Sequence, residues 1–505
     1  MDTKALRQKI LDLAIRGKLV PQDPNDEPAE VLLERIREQK QQMLKEGKLK
    51  KKDIKNDTII FKGEDNLHYE KFQDGTIKCI EDEIPFEVPE GWAWARLRDI
   101  CMMSAGKSKS TDQIKSEPFE GSYPCFGGNG VRGYVDEYNQ DGIFSIVGRQ
   151  GDLCGNINIA IGKFYATEHA VVTTLFDGID FKWSNYILEA LRLNNYATGA
   201  AQPGLSVANI LNVFVPVPPT QEQDRIGNNV YESLKIVEAL EQEKIDLQKI
   251  IITAKTKILD LAIRGKLVPQ DPNDEPASVL LERIRTEKEE LIKQGKIKRD
   301  KKESVIFKGD DNSYYLRTGR VEESLEDWRF DDLPETWKIC CLGELCDYGD
   351  CINVNTEDIA EDAWILDLED IEKDTGTVLK KVTKDQRNSV STKHKFHSGQ
   401  VLYSKLRPYL NKVVLSDADG YCTSEILPLE FKNCVLPEYA RYYLMSGTFI
   451  AYANHCSYGV KMPRLGTTDG KKAIFSLPPL SEQKRIVETI DFCFVQLNKI
   501  SEALA

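Results

Sequence analysis

Residues 9–37 and 257–285 are the same sequence with one difference: both read KILDLAIRGKLVPQDPNDEPA, then Glu30 or Ser278, then VLLERIR. The offset, 257 − 9 = 248 residues, is far longer than a solenoid repeat, so the chain is a duplicated half-molecule and not an array. A second pair, PPTQEQDRI at 218–226 and PPLSEQKRI at 478–486, recurs at an offset of 478 − 218 = 260. Fainter echoes lie between them: IIFKG (59–63) with VIFKG (305–309), and Pro89-Glu90-Gly91-Trp92 with Pro334-Glu335-Thr336-Trp337.

After Pro219 the apolar residues Val230, Val237, Leu240, Leu247, Ile251, Ala254, Ile258 and Leu261 fall at heptad-like spacing, interrupted at Ser233 and Lys244. This predicts one helix of about 40 residues with a single apolar stripe, ended by Gly265. The C-terminal segment copies the first part of that helix (Ile490, Leu497, Ile500, Leu504), and the N-terminal segment copies the rest (Leu6, Ile10, Leu13). By the two offsets Ala505 corresponds to Ile245 and Met1 to Lys249, so the ends read as pieces of one interrupted helix. The expectation is a near-circular dimer of itself, with long antiparallel coiled-coil helices and internal pseudo-twofold symmetry. A further helix follows in each half: Asn25 or Asp26 can cap it, Pro28 suits its first turn, and it runs to Gly47. The run KLKKKDIK after it reads as a solvated linker.

The expected fold class is α+β: two mixed α/β domains on a helical scaffold. The segments are 1–50 (N-terminal scaffold), 51–87 (linker), 88–217 (first insert), 218–300 (central scaffold with the long helix), 301–332 (linker), 333–477 (second insert) and 478–505 (C-terminal helix). The inserts contain short β-rich runs such as Gly142–Val147, Ala170–Thr174 and Val401–Tyr403. Apart from the motifs that bound them they share little sequence. The scaffold thus does one job twice, while the inserts do different jobs, or one job on different targets.

A net charge of −13 argues against nucleic acid unless positive charge clusters locally. It does so in the second insert. Residues 375–412 hold one acid, Asp385, against Lys380, Lys381, Lys384, Arg387, Lys393, Lys395, Lys405, Arg407 and Lys412. Lys461, Arg464, Lys471 and Lys472 form a second group, with Tyr403, Tyr409 and Tyr458 interleaved. Basic groups among aromatic residues suit phosphate contact and base reading; a solvated lysine face is the plainer alternative. In the nearly neutral first insert the candidates are Lys107, Lys109, Asn129, Arg132, Arg149, Gln150 and Gln202. Arg, Asn and Gln can make paired hydrogen bonds to guanine or adenine edges.

Catalytic signatures are missing. Ala105-Gly106-Lys107-Ser108 resembles the end of a phosphate-binding loop, but Cys101 stands where its first glycine belongs. His68, His169, His394, His397 and His455 show no metal spacing, and His394 and His397 read as surface residues. Twelve cysteines are scattered; Cys340, Cys341, Cys346 and Cys351 lack paired zinc-site spacing and read as buried free thiols of a reducing compartment. No apolar run approaches 18 residues and the start lacks a signal-peptide core, so a cytoplasmic location is expected, with no membrane role.

These features resemble the specificity subunit of type I restriction–modification systems. The carriers are PPTQEQDRI and PPLSEQKRI, the two ILDLAIRGKLVPQ copies, and VLYSKLRPYLNKVV at 401–414. The resemblance implies that each insert is a target-recognition domain for one half of a split duplex DNA sequence, and that the helices act as a ruler between half-sites. It implies docking of two modification (methyltransferase) subunits and of restriction subunits. S-adenosylmethionine would sit on the modification subunit, and no cofactor, metal or catalytic centre on this chain. It transfers no DNA-contacting residue by motif. The DNA-binding candidates therefore rest on side-chain chemistry alone: Lys107, Asn129, Arg132, Arg149, Gln150, Gln202, Lys393, Lys395, Lys405, Arg407, Tyr409, Lys461, Arg464 and Lys471. The competing reading is a protein-interaction scaffold with two adaptor domains on a helical spacer and no DNA role.

Overall fold

A two-stranded antiparallel ribbon ties the start of each insert to its end. Ala93–Arg96 pairs with Phe214–Val217, placing Ala93 opposite Val217 and Arg96 opposite Phe214. Lys338–Cys341 pairs with Ile474–Leu477 in the same way. The computed structural model describes residues 2–151, 153–199, 204–297, 304–311, 313–325, 333–387 and 390–504. It divides into two units, Met1–Lys244 and Ile245–Ala505.

Each ribbon brings the tryptophan motif before one strand against the Pro–Glu–Gln motif after the other, and a polar knot around a buried glutamate results. In the first unit the Trp92 indole Nε1 donates to Glu222 at 2.9 Å, and the Gln22 amide donates to the same carboxylate at 3.0 Å. Arg225 pairs with Asp26 beside them. In the second unit Trp337 donates to Glu482 at 2.9 Å, Gln270 at 2.5 Å, and Arg485 pairs with Asp274 at 2.6 Å. Both glutamates are buried, which pushes their pKa up, while the tryptophan and glutamine donors pull it back. The neighbouring Gln223 and Gln483 accept from Asp180 N and Leu436 N, fastening each insert to the helix start. Three motifs that lie far apart in the chain are thus one structural device used twice. Asp26, a candidate cap, is taken by Arg225; the helix Ala29–Lys45 instead starts at Pro28, with Ala29 N donating to Gly91 O at 2.8 Å.

The first insert is a six-stranded mixed sheet in the order Cys101–Ala105, Ala170–Leu175, Gln140–Gly148, Ile157–Ala166, Tyr123–Gly127, Gly130–Val135. Its helix Phe181–Ala190 is capped by Asp180 and buries Trp183 and Ile187 against Val147 and Val171. The second insert has a five-stranded sheet (Ile352–Val354, Lys393–Phe396, Gly420–Thr423, Trp364–Leu366, Val382–Thr383) and a three-stranded one (Val413–Leu415, Val401–Ser404, Ile426–Leu429). The helix Pro437–Leu444 covers it, with Tyr443 stacked on Phe475 at 4.1 Å.

The long helix runs Thr220–Ile263 and stops before Gly265, whose φ of +65° favours glycine. Its stripe is buried at both ends, at Val230, Leu234 and Val237 and at Ile251, Leu259, Ala262 and Ile263. Between them Leu247 is 43% exposed, and Leu6 and Ile500 on the terminal helices are also exposed. Burial concentrates where the helix packs on an insert. Within the first unit Thr3 donates to Glu241 and Arg7 approaches Glu238 at 4.0 Å, so the helix Thr3–Ile15 runs antiparallel to its neighbour. Within the second, Lys255 donates to Asn498 on the helix Leu480–Leu504 at 2.6 Å.

The stretches 51–87 and 301–332, expected as linkers, each carry an antiparallel three-stranded meander: Ile59–Lys62, His68–Lys71, Ile77–Cys79, and Ser304–Lys308, Tyr314–Thr318, Val321–Ser324. The IIFKG and VIFKG echoes are their first strands. His394 is buried, its Nδ1 hydrogen-bonded with Ile426 O at 2.8 Å, and is not a surface residue; His397 is exposed beside Glu430. Burial lowers the His394 pKa. Among the described residues no cysteine forms a disulfide; Cys340, Cys341 and Cys346 are buried and Cys351 is half-buried. Among the described residues no helix is long and apolar enough to cross a membrane.

Candidate nucleic-acid interface

In the second unit two candidate segments meet. The strand Val401–Ser404 runs into Lys405, and the loop 458–464 closes as a tight hairpin: Tyr458 N donates to Arg464 O at 3.1 Å and Arg464 N to Tyr458 O at 3.0 Å. Gly459 makes the turn possible with a φ of +98°. Two further bonds dock the hairpin on the strand end: Leu465 N to Lys405 O at 3.0 Å, and Arg407 N to Pro463 O at 2.7 Å. Lys405, Arg407, Tyr409, Tyr458 and Lys461 thus sit on one pair of hydrogen-bonded loops. Tyr409 is 51% and Tyr458 62% exposed, free to lie against a base or sugar.

The first unit builds the same platform. The strand Gln140–Gly148 runs into Arg149, whose carbonyl accepts from Leu205 N at 2.9 Å. Thr198 and Gly204 exchange two backbone bonds of 2.9 Å, and Gly199 has a φ of +97°. The bridge between Gln150 and Gly204 matches that between Leu406 and Arg464. Thr198-Gly199…Pro203-Gly204-Leu205 and Tyr458-Gly459…Pro463-Arg464-Leu465 stand 458 − 198 = 260 residues apart, the offset of the proline motifs. This third repeat escapes a search for identity because Gly, Pro and Leu, the residues that set backbone shape, are what it preserves.

Around the first platform Asn129 is exposed and accepts from Asn156 Nδ2 at 3.0 Å, Gln150 is exposed, and Arg149 is half-buried with its Nε lacking a partner. Lys107 is exposed, and Arg132 leans on Thr111 at 3.1 Å. Lys109 is tied to Glu137 at 2.7 Å over the Tyr165 ring. Gln202 lies outside the described residues. Gly148 is required: a Cβ there would stand 2.0 Å from Gly128 O.

The basic run 375–412 is largely spent inside the fold. Lys393 is 2% exposed and bonded to Ser391 at 3.1 Å, which removes it from the DNA-contacting set. Arg387 forks onto Asp367 and Asp370, Lys380 faces Asp370, Lys381 pairs with Asp417, Lys384 with Glu361, and Lys412 donates to Leu368 O. Arg464 is spent too. Its Nε and Nη2 clasp Glu425 at 2.8–3.0 Å, its Nη1 reaches Met462 O at 3.1 Å, and the carboxylate raises its pKa. It braces the hairpin, with three of its five N–H donors engaged. Lys471 stands apart on the helix Thr467–Lys472 beside Asp350, and Lys395 is exposed on the strand Lys393–Phe396. Among the described residues, Lys405, Arg407 and Lys461 are therefore the positive charges of the platform without an ion-pair partner.

Two equivalent platforms carrying unlike side chains, on duplicated mounts, are the layout of a two-part reader. The sequence model of the type I restriction modification DNA specificity domain matches residues 89–254 and 334–503, more than half of the chain. The chain belongs to the type I restriction–modification DNA specificity family. Among relatives in this family, the EcoAI specificity subunit of Escherichia coli is 28% identical over 98% of this chain and 90% of its own length. The EcoEI specificity subunit of the same organism is 26% identical over 99% and 90%. The EcoprrI specificity subunit, also of Escherichia coli, is 44% identical but over only 29% of this chain and 36% of its own length.

Proposed function

We infer that the chain is the targeting subunit of a type I restriction–modification complex, and that its two platforms each read one half of a split duplex DNA target. The observation that carries this is the equivalence of the 149–205 and 405–465 loop pairs, alike in backbone and unlike in side chains. Antiparallel coiled-coil packing of the long helices would set the distance between the two readers. One turn of DNA is about 10 bp, so only spacings that put both half-sites on one face allow joint binding.

The chain carries no catalysis of its own in this reading. Two modification subunits, holding S-adenosylmethionine, dock on the duplicated scaffold, and restriction subunits join them in the cytoplasm. Exposed apolar side chains on the long helices, among them Ile236, Ile250, Ile252, Phe492 and Val495, suit such docking. The net charge of −13 fits a chain whose affinity for DNA is shared with its partners and weak alone.

Exchange of 88–217 or 333–477 for the insert of a relative, followed by mapping of methylated sites, tests the reading. Each exchange is expected to change one half of the motif and leave the other. A motif unaltered by either exchange overturns it. Lys405→Ala is expected to weaken DNA binding of the assembled complex evenly across sequences, and to lower the slope of log K against log salt by about 1. Titration at several salt concentrations measures this.

A further inference from the structure

We propose that Arg407 reads a guanine, through paired hydrogen bonds to O6 and N7 in the major groove, in the half-site recognised by the second insert. This rests on the reading of the inserts as DNA readers and goes beyond it by naming the residue and the base.

Backbone shape is the first ground. Arg407 has a φ of +50°, in the left-handed region that disfavours a residue with a Cβ. In the first unit the residue after the matching bridge is Gly151, with a φ of +85°. The platform therefore calls for a left-handed residue at this point, and one half supplies glycine. The other half accepts strain in order to keep an arginine there. Strain of this kind persists where the side chain has a use and the surroundings hold it in place.

Hydrogen bonding is the second. The Arg407 Nε is buried without a partner, and among the described residues its guanidinium makes no hydrogen bond or ion pair. Arg464, on the docked hairpin, is satisfied by Glu425 and Met462 O. Two arginines on one platform have thus been given opposite tasks: Arg464 braces the loop and Arg407 keeps its donors. The unpartnered Nε is costly in the free chain, and the donors left for an incoming base are those on Nη1 and Nη2.

Rigidity is the third. Arg407 N donates to Pro463 O, Leu410 N donates to Arg407 O at 2.9 Å, and Pro408 follows directly. A planar five-donor fork held on a clamped turn matches the two acceptors of a guanine edge, which a single lysine charge does not. Lys405 and Lys461 on the same loops supply phosphate contacts that orient the duplex.

The test uses the chain assembled with its modification subunit, with methylated positions mapped across a genome for the parent, Arg407→Gly, Arg407→Ala and Arg407→Lys. Arg407→Gly relieves the left-handed strain, so its melting temperature should equal or exceed that of the parent, which separates loss of reading from loss of folding. Each variant should lose about 10- to 100-fold in discrimination at one G·C position of the second insert's half-site. The other half-site should stay as it was, and lysine should not restore the preference. An unchanged motif, or an even loss at every position with a shallower salt slope, overturns the assignment. If exchange of 333–477 also leaves the motif unaltered, the DNA-reading function itself falls, and not merely the role of Arg407.

Discussion

Glu482→Ala is expected to destabilise the second unit by about 2 kcal/mol, since it strands the buried Trp337 indole donor and removes the acceptor of the exposed Gln270 amide. The Trp337 indole and the Gln270 amide both end on this carboxylate, and Glu482 is fully buried. Glu482→Gln keeps one acceptor and should cost roughly half as much, about 1 kcal/mol. Glu222→Ala should open the first unit by a similar amount, because Trp92 and Gln22 repeat the arrangement. With each knot confined to its own unit, the two losses should add within about 0.5 kcal/mol. Denaturant-dependent hydrogen exchange on the intact chain, followed separately at 93–96 and 338–341, measures both. Equal exchange in the parent and in Glu482→Ala would remove the knot from the account of stability. The pH dependence has a definite sign. Burial holds the folded pKa of Glu482 above its unfolded value near 4.5, so the linked contribution is greatest in acid and is lost as pH rises through the folded value. The cost of Glu482→Gln should therefore be larger in acid than at neutral pH.

Gly148→Val is expected to cut methylation of the parental motif by roughly 100-fold, equivalent to about 3 kcal/mol, while leaving the second unit folded. The added side chain collides with the Gly128 carbonyl at 2.0 Å. Backbone cannot yield there as a flexible side-chain tip can, since Gly148 N is bonded to Asn156 O and the next residue, Arg149, to His169 O and Leu205 N. The first platform is thereby pushed apart and Arg149, Gln150 and Asn129 lose their common frame. Motif mapping gives the functional effect, and hydrogen exchange across 401–404 and 426–429 shows whether the other platform stands. Full methylation by this variant would mean that the first insert reads DNA through some other surface.

Charge was the weakest guide to the site. A basic run in a sequence does not say which acids it will meet. Lys393, Arg387 and Arg464 find Asp367, Asp370 and Glu425 at sequence separations of 17 to 39 residues, and only the packed sheet brings them together. The meanders were hidden for a related reason. Ile59–Lys62 alternates little between buried and exposed positions, and a strand with no clean apolar face has no period-2 signature.

By itself the sequence determined the architecture of halves: two near-identical mounts, a long helix stopped at Gly265, and two unlike inserts bounded by Trp and Pro–Glu–Gln motifs. These are local or repeated signals, carried by residue spacing and by glycine and proline. Tertiary structure decided the rest. It joined Gln22 and Trp92 on the buried Glu222, made a reading platform from two loops some 50 residues apart, and sorted braced arginines from free ones. Those outcomes depend on which donors and acceptors meet after the chain has folded, and hydrogen-bond partners chosen across such separations leave no period in a sequence.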